Sequence, residues 1–415
     1  MQNYIFRFRF QLLIILLGFI WILFLNECLQ ISQQNIIFND SENYKEAAHL
    51  LYYHFESHYF RPLGMAMISG LPYIFGGNDQ TVYRFSLILN SCCWLGSALL
   101  LFAILKKQLS AHKAFLFSLL YFSILGCVCI IFHLLTESIF TFLLLLAAYF
   151  LQKYESKKSF CLLAVAIGVL LFAVLIKPAA KFLVIVTIFY FGKTLVQNFG
   201  RKSAIFVYFG LCLIAFQYVK MKQDYGNFTL SYIDGVTYYN YLGSKAMCLK
   251  TNTIFDQNNN KRALALEKLP FEEQRILAER DLFFQIKNNR YNVVKAYFSN
   301  VSENTKTGSG CIEVCQNLEQ KVGFEKNKKI FFWVSKFQNK FFTIVGFILA
   351  LFYFFRFINK DIFVGFISFC ILYFIAISGI SCGQGDRFHI VFFPFVIILM
   401  ANFLNKTTFK FIKSD

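Results

Sequence analysis

Asp40 is the first residue placed to do chemistry. It follows an apolar run from Phe10 to Leu25 and precedes Tyr44 by four residues. A carboxylate just outside a membrane helix can act as a general base towards a substrate presented from the bilayer. The pair Asp40-Ser41 before a helical stretch also suits a helix N-cap or a solvated loop. Arg61-Pro62 follows, with the arginine set among Tyr59, Phe60 and Leu63. Such an arginine either binds a phosphate through paired hydrogen bonds or snorkels to lipid headgroups. Glu137 ends the string His133-Leu134-Leu135-Thr136-Glu137 near the edge of an apolar run. A charge at mid-membrane costs roughly 2.5–3.5 kcal/mol, so Glu137 marks a functional group or a structural ion pair. His133 alone fits a satisfied interfacial histidine. Lys177-Pro178 interrupts a long apolar stretch, with Lys181 one turn further on. The string Gly383-Gln384-Gly385-Asp386-Arg387-Phe388 implies a tight turn before the last apolar run. Lys177 and Arg387 each suit a shared cavity or simple headgroup anchoring. One acid and three cations from separate segments suit a site for a lipid-linked phosphate.

The elements that must position these residues are membrane helices. The chain has 415 residues, 57% hydrophobic and only 15% charged, against about 25% charged in soluble domains. Its apolar runs are continuous rather than alternating, which favours spanning helices over barrel strands. About ten transmembrane helices are expected, over 10–28, 82–105, 114–132, 134–151, 160–176, 179–196, 204–220, 341–357, 362–380 and 389–404. The fold class is therefore an all-α integral membrane protein, with an N-terminal membrane module over 1–220, an external loop domain over 221–340 and a C-terminal membrane module over 341–415. The first run lacks a small-residue cleavage site at Asn26-Glu27-Cys28 and reads as a retained helix.

Orientation follows from the short loops. Lys106, Lys107 and Lys113, then Lys153, Lys157 and Lys158, then Lys193, Arg201 and Lys202, then Arg356 and Lys360, and the tail Lys406, Lys410 and Lys413 all fall on one side. The positive-inside rule makes that side cytoplasmic, with both termini inside. Such clusters also explain most of the +18 net charge without nucleic acid. The first external loop, 29–81, carries a surface helix from Tyr44 to Phe55 and an interfacial or re-entrant stretch from Leu63 to Phe75. In the large loop, Pro270 opens a helix to about Lys287, and a second runs from Tyr291 to Ser299. The aromatic stretch Tyr232 to Tyr241 suits sugar stacking or packing on the membrane part. Cys248, Cys311, Cys315 and Cys382 lie outside, where one or two disulfides can form in an oxidising compartment. Walker-type loops and His-Glu-x-x-His strings do not occur, which argues against an NTPase or zincin.

The order of these features resembles the GT-C glycosyltransferases, closest to the dolichyl-phosphate-mannose protein mannosyltransferase and aminoarabinose-transferase-like superfamily. Asp40, Tyr44 and Ala47 match its Asp, Tyr and small residue after the first helix, and Glu42 stands near the place of its second acid. Arg61-Pro62, Thr136-Glu137, Lys177-Pro178 and Arg387-Phe388 with Pro394 match its later motifs. The resemblance implies transfer of one sugar from a polyprenyl-phosphate donor to a lipid, glycan or protein acceptor on the external side. Asp40 is then the base; Glu42, Tyr44, Arg61, Glu137, Lys177 and Arg387 bind substrate. No cofactor or metal is implied. A bacterial inner membrane is the expected location, and membrane lipids are its other partners. An O-antigen polymerase or ligase acting on polyprenyl-diphosphate glycans remains an alternative, and a transporter or flippase a third.

Overall fold

The computed structural model describes residues 2–31, 38–357 and 361–411. Among these the chain is helical, with no strand. The N-terminal part comprises α1 (Gln2–Leu29), α2 (Asn39–His49), α3 (Leu63–Ser69), α4 (Asp79–Leu105), α5 (Ala111–Phe122), α6 (Leu125–Cys129), α7 (Glu137–Lys157), α8 (Phe160–Ile176), α9 (Lys181–Tyr190) and α10 (Ile205–Tyr225). Then come α11 (Ser244–Thr251), α12 (Phe271–Asn288) and α13 (Arg290–Lys306), followed by α14 (Phe324–Phe357), α15 (Ile362–Ser378) and α16 (Phe393–Phe411). Side-chain oxygens set several starts: Asn78 accepts from Thr81 N before α4, and Asp361 from Val364 N before α15.

Helices α4, α7, α8 and α10 pack in sequence, and α14 and α15 form a second pair. The shared core holds large buried rings, among them Trp94, Phe102, Phe140, Phe374 and Phe392. Backbones touch where α8 crosses α10: a Cβ on Gly168 would sit 2.6 Å from the Phe206 carbonyl oxygen, so the two helices approach only because that position has no side chain. The outer surface is apolar. Leu16, Phe19 and Leu23 on α1 and Phe347, Ile348 and Phe355 on α14 are all exposed. A surface of that kind suits hydrocarbon rather than water.

Among the described residues, four helices are long and apolar enough to cross a membrane: Phe8–Leu29, Asp79–Leu105, Lys202–Tyr225 and Phe324–Phe355. A fifth is the pair Ala111–Phe122 and Leu125–Phe132, bent by 69°. The expected straight span over 114–132 is thus broken near Ser123-Ile124, where Ile124 is extended. The stretches Phe160–Ile176, Pro178–Tyr190, Ile362–Ser378 and Phe393–Asn405 are shorter apolar helices. A helix of 17 residues reaches about 25 Å, short of a hydrocarbon core of about 30 Å. The expected run over 179–196 ends at Tyr190, and a separate short helix covers Gly192–Gln197.

Three further boundaries differ from expectation. The surface helix begins at Asn39 rather than Tyr44 and ends in a wide turn over Leu50–His54. Leu63 to Phe75 is two short helices rather than one stretch, and Leu63, Gly64, Met65, Ala66 and Ser69 are buried. Helix α14 starts at Phe324, so the last part of the expected loop domain belongs to a long helix that continues into an apolar run. Pro270 does open α12, and α13 extends beyond Ser299 to Lys306. The loop domain has its own small core of Tyr238, Tyr239, Leu242, Ala246, Leu266, Ala278 and Ala296. All twelve cysteines are free, and Cys315 Sγ donates to the Cys311 carbonyl 3.1 Å away. The side chains of Arg356, Lys360, Lys406, Lys410 and Lys413 lie outside the described residues.

Candidate functional site

Asp40 lies in the first turn of α2, with Phe38 at the cap position. Its carboxylate therefore does not cap the helix; it reaches two arginines. Arg61 Nη2 donates to Asp40 Oδ1 at 2.5 Å, and Arg387 Nη1 donates to Asp40 Oδ2 at 2.8 Å. Tyr44 sits one turn along the same helix face. Its ring lies 4.5 Å beneath the Arg61 guanidinium, and Arg61 Nη1 is 3.5 Å from its hydroxyl.

Arg61 is placed by the segment before α3. Neutral His58 accepts through Nδ1 from the backbone N–H of Phe60 at 3.0 Å and of Arg61 at 3.2 Å. Pro62 then caps α3, and Gln217 on α10 accepts from Leu63 N at 2.8 Å. This ties the first loop to the helical core on both sides of the arginine.

Glu137 opens α7 and is 1% exposed. Its Oε1 accepts from Arg387 Nε at 3.1 Å and from Lys177 Nζ at 3.0 Å. Lys177 is free to turn inward because Pro178 ends α8, leaving Lys177 extended at the break. Phe388 lies 5.4 Å below its ammonium. Arg387 is delivered by the turn containing Gly383 and Gly385, both in the left-handed region at φ 67° and 60°. That turn is clamped from the loop domain: Asn304 on α13 donates to the carbonyls of Ser378 and Ser381, each at 2.9 Å.

Five of the expected site residues thus form one chain of ion pairs, Arg61–Asp40–Arg387–Glu137–Lys177, with Tyr44 against Arg61. Glu42 is not part of it. It pairs with Lys45 at 2.7 Å and accepts from Tyr83 at 3.0 Å. Helical geometry explains the split, since residue i+2 points about 200° away from residue i. Lys181 joins the loop domain instead, with Nζ 2.6 Å from Asp234 Oδ2.

Burial alone would raise the Asp40 carboxyl, but Arg387 and Arg61 outweigh it and hold the group well below the usual carboxylate range. Two carboxylates face three cations, so the cluster carries a net positive charge. Arg61 Nε and Glu137 Oε2 are buried without a hydrogen-bond partner among the described residues. Buried polar atoms rarely stay unpaired, and these two can serve a bound ligand. A cavity of about 570 Å³ is lined by Lys177, Lys181, Tyr218, Tyr232 and Arg275 among others, between the apolar helices and the loop domain. The described residues contain no group of three or more His, Cys, Asp or Glu side chains arranged for a metal.

Comparison with protein-family models and with curated proteins returns no match.

Three partners of the site escaped the sequence. His58 orients Arg61 through its backbone, and a lone histidine carries no pattern that announces this role. Phe38 lies 5.4 Å from the Arg387 guanidinium. Asp386 is buried against α6, where a Cβ on Gly126 would strike its carboxylate. Its position beside Arg387 was the available signal. From the stretch Tyr232 to Tyr241, the side chains of Tyr238 and Tyr239 are buried in the loop-domain core, and Tyr232 and Tyr238 line the cavity.

Proposed function

We propose that this chain is an integral membrane glycosyltransferase that moves one sugar from a polyprenyl-phosphate donor to a lipid, glycan or protein acceptor. In this proposal it spans a bacterial inner membrane about ten times, with both termini cytoplasmic and the site on the outer face. The observation that carries it is the capture of Asp40 between Arg61 and Arg387. In this reading Asp40 is the base and the two arginines bind phosphate, and Lys177 beside them lines the cavity.

The ion pairs suggest an order of events. Without donor, both arginines neutralise Asp40, which is then a weak base. An arriving phosphate competes for Arg61, Arg387 and Lys177. As their hydrogen bonds shift to the phosphate, the carboxylate loses its positive neighbours and becomes more basic. Asp40 then takes the proton of the acceptor hydroxyl or amine. The acceptor atom bonds to the anomeric carbon as the bond from that carbon to the phosphate oxygen breaks, and the electron pair leaves with the phosphate. One displacement inverts the anomeric centre. The cations meet the charge growing on the phosphate, a task for which preorganised groups are effective.

The test is a transfer assay with the purified protein, radiolabelled polyprenyl-phosphate monosaccharides and an extract of native lipids and glycans. Label passing to an acceptor with wild type, but not with Asp40→Asn, is the expected result. No consumption of any monosaccharide donor would sink the proposal. Activity on a polyprenyl-diphosphate oligosaccharide instead would favour the polymerase or ligase class.

A further inference from the structure

The helices that carry the ionic cluster hold a second group of cations at their other end. Asn90 on α4 donates to the His133 carbonyl at 2.8 Å, shortly before α7 begins. Gln152 on α7 donates to the Ile104 carbonyl at 3.2 Å, where α4 is ending. The two helices therefore run in the same direction, and both C-termini lie at one end. Glu137 opens α7, and Lys153 stands about 24 Å further along it. A cavity of about 280 Å³ at this end is lined by Gln11 on α1, Phe102 on α4, Lys106 and Lys107 just after it, and Tyr149 and Lys153 on α7, among others.

Three ammonium groups line this cavity, and no carboxylate does. Among the described residues none of the three enters an ion pair or a side-chain hydrogen bond. Lys106 lies 5.8 Å from the Phe102 ring and Lys153 5.3 Å from the Tyr149 ring, so aromatic faces rather than acids attend two of them. Glu155 acts on Lys107, but its two oxygens accept from the backbone N–H groups of Ile362 and Phe363 at 2.8 and 3.2 Å. Burial, then the charges of Lys153 and Lys157, holds the Lys107 ammonium below its ordinary value. Lysines at helix C-termini ordinarily offset the macrodipole, roughly half a negative charge per helix. Two helix ends thus supply about one negative charge against three cations, and roughly two positive charges stay uncompensated. A phosphate group, with about one to two negative charges near neutral pH, matches that excess.

We infer that this cavity binds a phosphate-bearing anion, held between α1, α4 and α7 at the end opposite the ionic cluster. The Gln152 contact with Ile104 fixes the spacing between Lys153 on one helix and Lys106 and Lys107 on the other. Two sources offer the same chemistry: the headgroup phosphate of an anionic lipid and a soluble phosphate. The cavity borders the start of the apolar stretch Phe8–Leu29 and the end of Asp79–Leu105, within reach of either. The site goes beyond the transferase proposal, because none of its residues belongs to the ionic cluster.

The experiment is lysine acylation of the purified full-length protein, mapped by mass spectrometry, at constant ionic strength. The probes are inorganic phosphate and a short-chain phosphatidylglycerol, each against chloride alone. The expected result is several-fold slower acylation of Lys106, Lys107 and Lys153 with a probe present, while the exposed Lys113 reacts as before. Protection by phosphatidylglycerol alone identifies a lipid headgroup as the ligand; protection by inorganic phosphate as well identifies a soluble phosphate. Protection by neither probe, or equal protection of Lys113, overturns the inference. As a second measurement, Lys153→Gln should abolish the protection of Lys106 and Lys107, and Lys153→Arg should keep it; protection that survives in the Gln variant also overturns it. Arg61→Ala should leave the protection unchanged, which separates this cavity from phosphate bound at the ionic cluster. No outcome depends on sugar transfer, so failure here is distinguishable from failure of the enzyme assay.

Discussion

Arg387 and Glu137 stand 250 positions apart in the chain, yet Arg387 Nε lies 3.1 Å from Glu137 Oε1. Lys177 Nζ reaches the same oxygen at 3.0 Å. One buried carboxylate oxygen therefore joins the start of α7, the break after α8 and the turn before α16.

Removing that charge leaves Lys177 without a carboxylate partner and Arg387 with Asp40 alone. Glu137→Gln should destabilise the protein by about 3–5 kcal/mol, the usual effect of breaking a buried pair. Thermal unfolding in detergent measures it. Adding Lys177→Met should restore part of the loss, because the two sites interact directly. Strictly additive effects would mean that the contact contributes nothing.

Asp40→Asn should act on both fold and turnover. Losing a carboxylate that accepts from two guanidiniums costs about 1.5–3 kcal/mol. Loss of the base should lower transfer by about 10²–10⁴-fold. Measuring both on one preparation separates them. An Asn variant with full activity would remove Asp40 from the mechanism.

Arg61 should matter for donor affinity. Arg61→Ala, measured by titrating polyprenyl phosphate, should weaken binding by about 10- to 100-fold. Arg61→Lys should recover little, since a point charge does not reproduce the forked contact with Asp40 and phosphate. Unchanged affinity in the Ala variant would place the phosphate elsewhere.

His58 predicts an acid limit. Burial, reinforced by the nearby Arg61 charge, pushes its imidazole down to about 3 from an ordinary value near 6.5. A depressed histidine is neutral when folded, so the unfolded chain binds the extra proton first. Stability is fully present above about pH 6.5 and declines below it, by at most about 1.4 kcal/mol per pH unit from this group. His133, also pushed down by burial, adds a term of the same sign. Unfolding followed from neutral pH to about pH 5 should show a shallower decline in His58→Gln. An unchanged slope would mean that His58 does not titrate on folding.

Residue types and order alone announced an all-helical chain and named the five members of the ionic cluster. Charges in apolar surroundings are expensive, so Glu137, Lys177 and Arg387 stand out wherever they occur. The sequence reading began the surface helix at Tyr44, so the shared face of Asp40 and Tyr44 came only from the structure, where the helix begins at Asn39. Periodicity has no access to what lies opposite a side chain in space. Only the packed structure paired Asp40 with Arg61 and Arg387 rather than with a helix N-terminus. It alone turned Glu42 towards Lys45 and Tyr83. Hydropathy averages over a window, so it passed across the bend at Ser123-Ile124 and missed the polar first turns of α14. Composition determined which groups need partners; the tertiary structure decided the partners, because an ion pair depends on distances that sequence separation does not encode.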